Sequence, residues 1–91
     1  MKTSDVLTVG YRYSEESVPF LKKLHGYNSL TLIQFKQLIP KRNGPHTYYF
    51  RKECNEFGTG YVMEEICDDN ELLPVNEGNK IYGVIESVSR H

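Results

Sequence analysis

The chain has 91 residues, 38% of them hydrophobic and 25% charged, enough for a single small core. No apolar run approaches the ~20 residues of a membrane span, and the N-terminus lacks the apolar stretch of a secretory signal. Net charge is only −1, but residues 12–52 hold eight of the eleven bases against Glu15 and Glu16 (+6), and residues 53–79 hold eight of the twelve acids and no base (−8).

Residues 6–13 alternate, with Leu7, Val9, Tyr11 and Tyr13 on one face and Thr8, Gly10 and Arg12 on the other, which predicts a strand. Residues 14–17 read as a turn and residues 18–24 as a second strand. Pro19 has no N–H to give a ladder, so this strand belongs at a sheet edge or begins there. Lys22 and Lys23 are charges typical of an edge that must stay soluble.

Thr31 and Gln34 fit a capping box, and Leu30 with Phe35 a hydrophobic staple. Leu32, Phe35, Leu38 and Ile39 share one helical face, and Pro40 ends the run. A helix of about nine residues is marginal alone and needs a sheet to pack on.

Residues 41–45 form a loop, and residues 46–52 a strand with Tyr48 and Phe50 opposite Tyr49 and Arg51. A loop carrying Gly58 and Gly60 leads to a strand at 61–66 with two adjacent acids, Glu64 and Glu65. Residues 68–70 read as a turn or cap, and residues 72–75 as an apolar crossing segment. The last strand spans 80–88, with Ile81, Gly83 and Ile85 opposite Tyr82, Val84 and Glu86. Seven Tyr and four Phe without Trp suit a β-rich core.

The order ββαβββ fits an α+β class, ubiquitin-like β-grasp: a five-stranded mixed sheet with one main helix. The first and last strands are expected at the centre, the second strand and the 61–66 strand at the outer edges. The charge split then acquires a geometry, with Lys22 and Lys23 on a basic edge and Glu64 and Glu65 on an acidic one. A split of this kind signals a nucleic-acid or membrane patch, or a domain that meets copies of itself, positive side to negative side.

The blocks VPFL (18–21), TLIQFK (31–36), YYFRK (48–52), EF (56–57), EEI (64–66) and LPV (73–75) follow the order and spacing of a DIX domain and cover almost the whole chain. The chain resembles that family, and its longer 58–63 stretch resembles the axin type rather than the dishevelled type. The resemblance implies a single DIX domain over residues 1–91, excised from a larger scaffold. It implies head-to-tail polymerisation through the second and fourth strands, and hetero-association with dishevelled-type DIX domains. The cellular role it implies is control of the β-catenin destruction complex in Wnt signalling.

By motif, Phe20 matches an edge-strand aromatic, usually Tyr, that is important for polymerisation. Phe35 matches a helix aromatic whose alteration disrupts assembly in relatives, and Val62 and Met63 match the fourth-strand pair on the opposing surface. Three positions depart from the pattern. Phe20 lacks the Tyr hydroxyl, Met63 replaces Phe or Lys with a flexible apolar contact, and Asn76 stands where relatives often carry an aromatic.

Read from its residues alone, Phe35 on a helix's apolar face is core packing. Lys22, Lys23, Glu64, Glu65, Asp68 and Asp69 are surface charges whose exposed pairs are worth only ~0–1 kcal/mol. Their expected role is orientation and encounter rate, with Phe20, Val62 and Met63 supplying apolar contact.

No catalytic, metal or cofactor site is expected. His25, His46 and His91 are scattered, and Cys54 and Cys67 fit neither a nucleophile nor a metal motif. Both cysteines are expected to be free thiols in a reducing, cytoplasmic compartment. The glycines form no phosphate loop, and Glu64 and Glu65 point to opposite faces of a strand. Residues 48–52 resemble an aromatic strand that stacks bases, but the acidic half repels phosphate, so no nucleic-acid partner is expected. The alternative to self-assembly is a monomeric ubiquitin-like adaptor that binds a different partner through one edge.

Overall fold

The computed structural model describes residues 5–88, so His91 lies outside the described residues. Along the chain follow β1 (Val6–Tyr13), β2 (Phe20–His25), α1 (Leu32–Leu38), β3 (His46–Glu53), β4 (Tyr61–Glu65) and β5 (Lys80–Ser87). The strands form one sheet in the order β2-β1-β5-β3-β4. β1 and β5 run parallel at its centre, and the other three pairings are antiparallel. This is the ubiquitin-like β-grasp, with β2 and β4 at the two edges. β2 starts at Phe20 rather than at Val18, because Pro19 cannot donate to the ladder and pairing begins with Tyr11 opposite Phe20.

A helix as short as α1 depends on how its first N–H groups are met. Leu32 donates to the Glu71 carbonyl at 3.1 Å, Ile33 to the Asp69 carbonyl at 3.0 Å and Phe35 to the Thr31 carbonyl at 3.0 Å. Gln34 donates to the Thr31 hydroxyl at 3.4 Å, and its own side chain accepts from the Thr31 N–H at 2.9 Å. The predicted capping box is therefore present, and the turn at 68–71 caps the same helix from outside. At the other end Ile39 is already extended (ψ 155°), since the residue before a proline avoids helical geometry.

Of the crossing segment at 72–75, only Leu73 enters the core, its N–H donating to the Leu30 carbonyl at 2.9 Å. Leu72 faces solvent, because neighbouring residues of an extended segment point to opposite sides.

The core lies between α1 and one face of the sheet, built from Leu7, Val9, Tyr11, Phe50, Ile81 and Ile85 against Leu32 and Phe35. The Phe35 ring sits 5.0 Å from Phe50, 6.2 Å from Tyr11 and 6.3 Å from Tyr48, each edge-to-face, the arrangement that the ring quadrupole favours. Gly83 makes the room: a Cβ there would lie 2.8 Å from the Phe50 ring and 3.1 Å from that of Phe35. Gly83→Ala is expected to cost about 1–3 kcal/mol by overpacking, seen as a lower midpoint in chemical denaturation. An unchanged midpoint would mean that the two rings give way freely.

Candidate functional site

Among the described residues β2 is paired on one side only. The Gly26 N–H donates to the Asp5 carbonyl at 2.8 Å, and antiparallel bonds alternate along a ladder. Phe20, Lys22 and Leu24 therefore direct their backbone groups to β1, while Leu21, Lys23 and His25 point theirs outward. Side chains alternate as well. Phe20 lies on the helix side, stacked on the Tyr11 ring at 5.4 Å and still 50% exposed. Leu21 lies on the open side, 64% exposed. Lys22 and Lys23 are exposed, and among the described residues neither has a carboxylate within 4.0 Å.

β4 repeats the pattern at the far edge. Its ladder with β3 is framed by Cys54 N–H to the Gly60 carbonyl and Ile66 N–H to the Tyr48 carbonyl, both 3.0 Å. By the same alternation Tyr61, Met63 and Glu65 point their backbone groups outward. Val62 and Glu64 lie half-buried on the helix side, whereas Tyr61, Met63 and Glu65 are exposed on the open side. The pair Val62 and Met63 is thus divided between the two faces of one edge.

Charge does not separate as cleanly as the sequence suggests. Arg51 and Lys52 belong to the basic half, yet the hairpin sets them beside β4. Lys52 Nζ is 3.8 Å from Glu64, and the Arg51 guanidinium lies 4.0 Å over the Tyr61 ring, a cation–π contact. Lys36 bonds Asp69 at 2.8 Å, and Arg42 holds Glu15 and Glu16 at 3.2 and 3.3 Å. Among the described residues, the charges without a counter-ion within 4.0 Å include Lys22 and Lys23 at one edge and Glu65, Asp68 and Glu71 at the other end of the sheet. Arg12, Lys41, Arg51, Glu53, Glu56 and Glu77 also lack one, so ion pairing thins the polarity without removing it.

Cys54 and Cys67 are free. The Cys67 thiol donates to Glu65 at 3.6 Å, and the negative charge of that carboxylate pushes the thiol above its ordinary range. An exposed thiol so placed stays protonated and weakly nucleophilic near neutral pH.

Phe35 corrects one expectation. It is 0% exposed, because the cap at Thr31 turns the fourth helical position toward the sheet. It offers a neighbouring molecule no surface. Asn76, in place of an aromatic, is a structural pin: its Nδ2 donates to the Arg51 carbonyl at 3.0 Å and its Oδ1 accepts from the Glu53 N–H at 3.1 Å. Leu21 and Tyr61 are exposed edge residues absent from the sequence-derived set. The signal for both was period-2 alternation, since an edge strand displays both of its rows.

A family model described as the DIX domain matches residues 6–85. The chain belongs to the DIX domain family. Axin-1 of Mus musculus is 40% identical to this DIX domain over 84 residues, 92% of the chain and 9% of that protein. Axin-2 of Mus musculus is 42% identical over 82 residues, covering 90% and 9%, and Axin-1 of Danio rerio 40% over 82 residues, covering 90% and 10%. The chain is thus of the axin type and spans about a tenth of the length of these relatives. Among solved structures, a variant of the SOSEKI polymerising domain superposes with a TM-score of 0.66 at 15% identity, covering 94% of this chain and 100% of that one, which is a likeness of fold. No helix of the described residues is long and apolar enough to cross a membrane.

Proposed function

We propose that this DIX domain is a self-assembling interaction module that joins the β2 edge of one copy to the β4 edge of the next. The observation that carries this reading is that, among the described residues, one sheet ends in two unlike, unpartnered edges. Phe20, Lys22 and Lys23 belong to one, and Val62, Met63, Glu64 and Glu65 to the other. A contact between unlike edges leaves one of each free, so it propagates unless its rotation closes a ring. Apolar residues supply adhesion, and charges steer which edges meet.

The SOSEKI domain of the same fold is a polymerising domain, and the axin relatives support a scaffold role. The module would serve an axin-type scaffold of the β-catenin destruction complex in Wnt signalling, in the cytoplasm, with dishevelled-type DIX domains as its second partner. Its work is non-enzymatic and needs no cofactor. Weak single contacts suit it, because assembly then follows local concentration and raises avidity for other partners.

Light scattering against protein concentration, without nucleic acid, is expected to report a mass that grows with concentration. A chain that stays monomeric while one edge captures a different protein would instead be a one-edge adaptor. A monomer that binds RNA with steep salt dependence would also overturn the proposal. Lys22→Glu with Lys23→Glu is expected to weaken assembly roughly 3–10-fold at low salt. Adding a Glu64→Lys, Glu65→Lys chain should restore part of the loss, and absence of that rescue would remove the electrostatic component.

A further inference from the structure

We infer that the open face of the sheet, between its two edges, binds an extended acidic segment of another protein, Arg12 and Arg51 each taking one carboxylate and an aromatic side chain seating between them. The helix α1 packs on one face of the sheet. Side-chain alternation sends Arg12 of β1, Tyr82 and Val84 of β5, and Tyr49 and Arg51 of β3 to the other. With Tyr61 they line a hollow of about 340 Å³, at the small end of the range of ligand clefts. Its floor is held in place, because Tyr49, Tyr82 and Val84 are half-buried. The Tyr82 ring lies flat over Gly10, where a Cβ would come within 3.2 Å of it.

Charge decides the occupant. Among the described residues neither arginine has a carboxylate within 4.0 Å. The Arg12 Nε donates to the Tyr82 hydroxyl at 3.1 Å and its Nη1 to the Glu16 carbonyl at 3.0 Å, while the Arg51 guanidinium lies 4.0 Å over the Tyr61 ring. The neighbouring acids are turned to other donors. Glu53 accepts from the Glu77 N–H at 3.2 Å, and Glu65 from the Cys67 thiol at 3.6 Å. No acid lines the hollow. Tyrosine and arginine are the residue types enriched where interfaces bind most strongly, and a positioned guanidinium takes a carboxylate through two parallel bonds. Single-stranded RNA shares this stacking and cationic chemistry. A phosphate backbone would, however, run onto Glu53 and Glu77 in the adjoining hollow and onto Glu65 opposite Tyr49, whereas a short peptide ends before them.

The sheet also sets the spacing. Val84 stands opposite Arg12 on β1 and opposite Tyr49 on β3, and Arg51 lies two residues from Tyr49. The two arginines are therefore two strands apart, about 9.6 Å, and displaced by two residues, about 6.7 Å, which puts their Cα atoms roughly 12 Å apart. An extended peptide holds residues i and i+4 on one side about 13 Å apart, with i+2 between them. The segment that fits carries acids at i and i+4 and an aromatic at i+2, over Tyr82 and Val84.

Fluorescence anisotropy with two labelled peptides tests the site: Gly-Glu-Ser-Tyr-Ser-Glu-Gly, and Gly-Tyr-Ser-Ser-Glu-Glu-Gly of the same composition. The first is expected to bind the chain roughly fivefold or more tightly than the second at low salt. Arg51→Gln is expected to weaken it roughly tenfold, the loss of a charge-assisted bond, with the melting curve unchanged because Arg51 is exposed. Lys41→Gln removes a cation that equally lacks a counter-ion from the 41–45 loop. Its effect is expected to stay within roughly twofold, as a distant, screened charge would give. Equal binding of the two peptides, equal weakening by the two variants, or no binding by the folded chain overturns the proposal. Tighter binding of a single-stranded oligouridylate that Arg51→Gln abolishes would also overturn it, by giving the face to RNA. Light-scattering growth is read separately, so edge assembly and this face can fail independently.

Discussion

Phe35→Ala is expected to unfold the domain rather than to release a folded monomer. The ring is fully buried and meets Tyr11, Tyr48 and Phe50 within 6.3 Å, so its removal opens a cavity at the junction of helix and sheet. Truncating a buried Phe costs about 3–5 kcal/mol, against a total stability of roughly 5–15 kcal/mol that is smallest in small domains. In melting curves followed by circular dichroism, the expected fall in Tm is roughly 15–30 °C. Loss of assembly in such a variant would follow from loss of the fold. A Phe35→Ala chain with unchanged Tm that no longer assembles would return this ring to the interface.

Phe20→Ser is expected to do the opposite, leaving a folded chain that no longer assembles. Phe20 lies at the outermost strand, half-exposed, and stacks on the Tyr11 ring. Losing an aromatic pair costs about 0.5–1.5 kcal/mol, a shift of several degrees in Tm. An apolar anchor at the centre of a contact is worth about 2 kcal/mol or more, roughly thirtyfold in Kd. Val62→Ser with Met63→Ser should act similarly from the other edge, because the two residues occupy both faces of β4. Light scattering and melting on the same samples separate assembly from folding. Concentration-dependent growth that survives in either variant would remove these edges from the contact.

The contrast between the two phenylalanines sets out how far the candidate site was legible. Pro19 and the two lysines after it marked β2 as an edge, which is where Phe20 is found. Phe35 carried two signals that disagreed: its helical spacing pointed to the core, its family motif to the interface, and burial favours the spacing. Leu21 was overlooked although it follows Phe20 directly. On an edge strand the open-side row is as available as the helix-side row, and alternation alone implies both.

What the chain determined by itself is local. Period-2 alternation set β1 to its observed bounds, the Thr31 and Gln34 pair started the helix, and Pro40 stopped it. These features depend on residues within a few positions of one another, so a linear reading reaches them. Which charges remain without partners depended on the tertiary structure. Arg51 and Lys52 meet β4 only because a hairpin folds them against it, and Lys36 meets Asp69 only because the turn at 68–71 caps the helix. Ion pairing and exposure belong to neighbours brought together across the fold. For that reason a +6 and −8 division along the sequence is thinned in space by the ion pairs of Lys36, Arg42 and Lys52, while the edge strands keep Lys22 and Lys23 on one side and Glu65 on the other without a counter-ion within 4.0 Å.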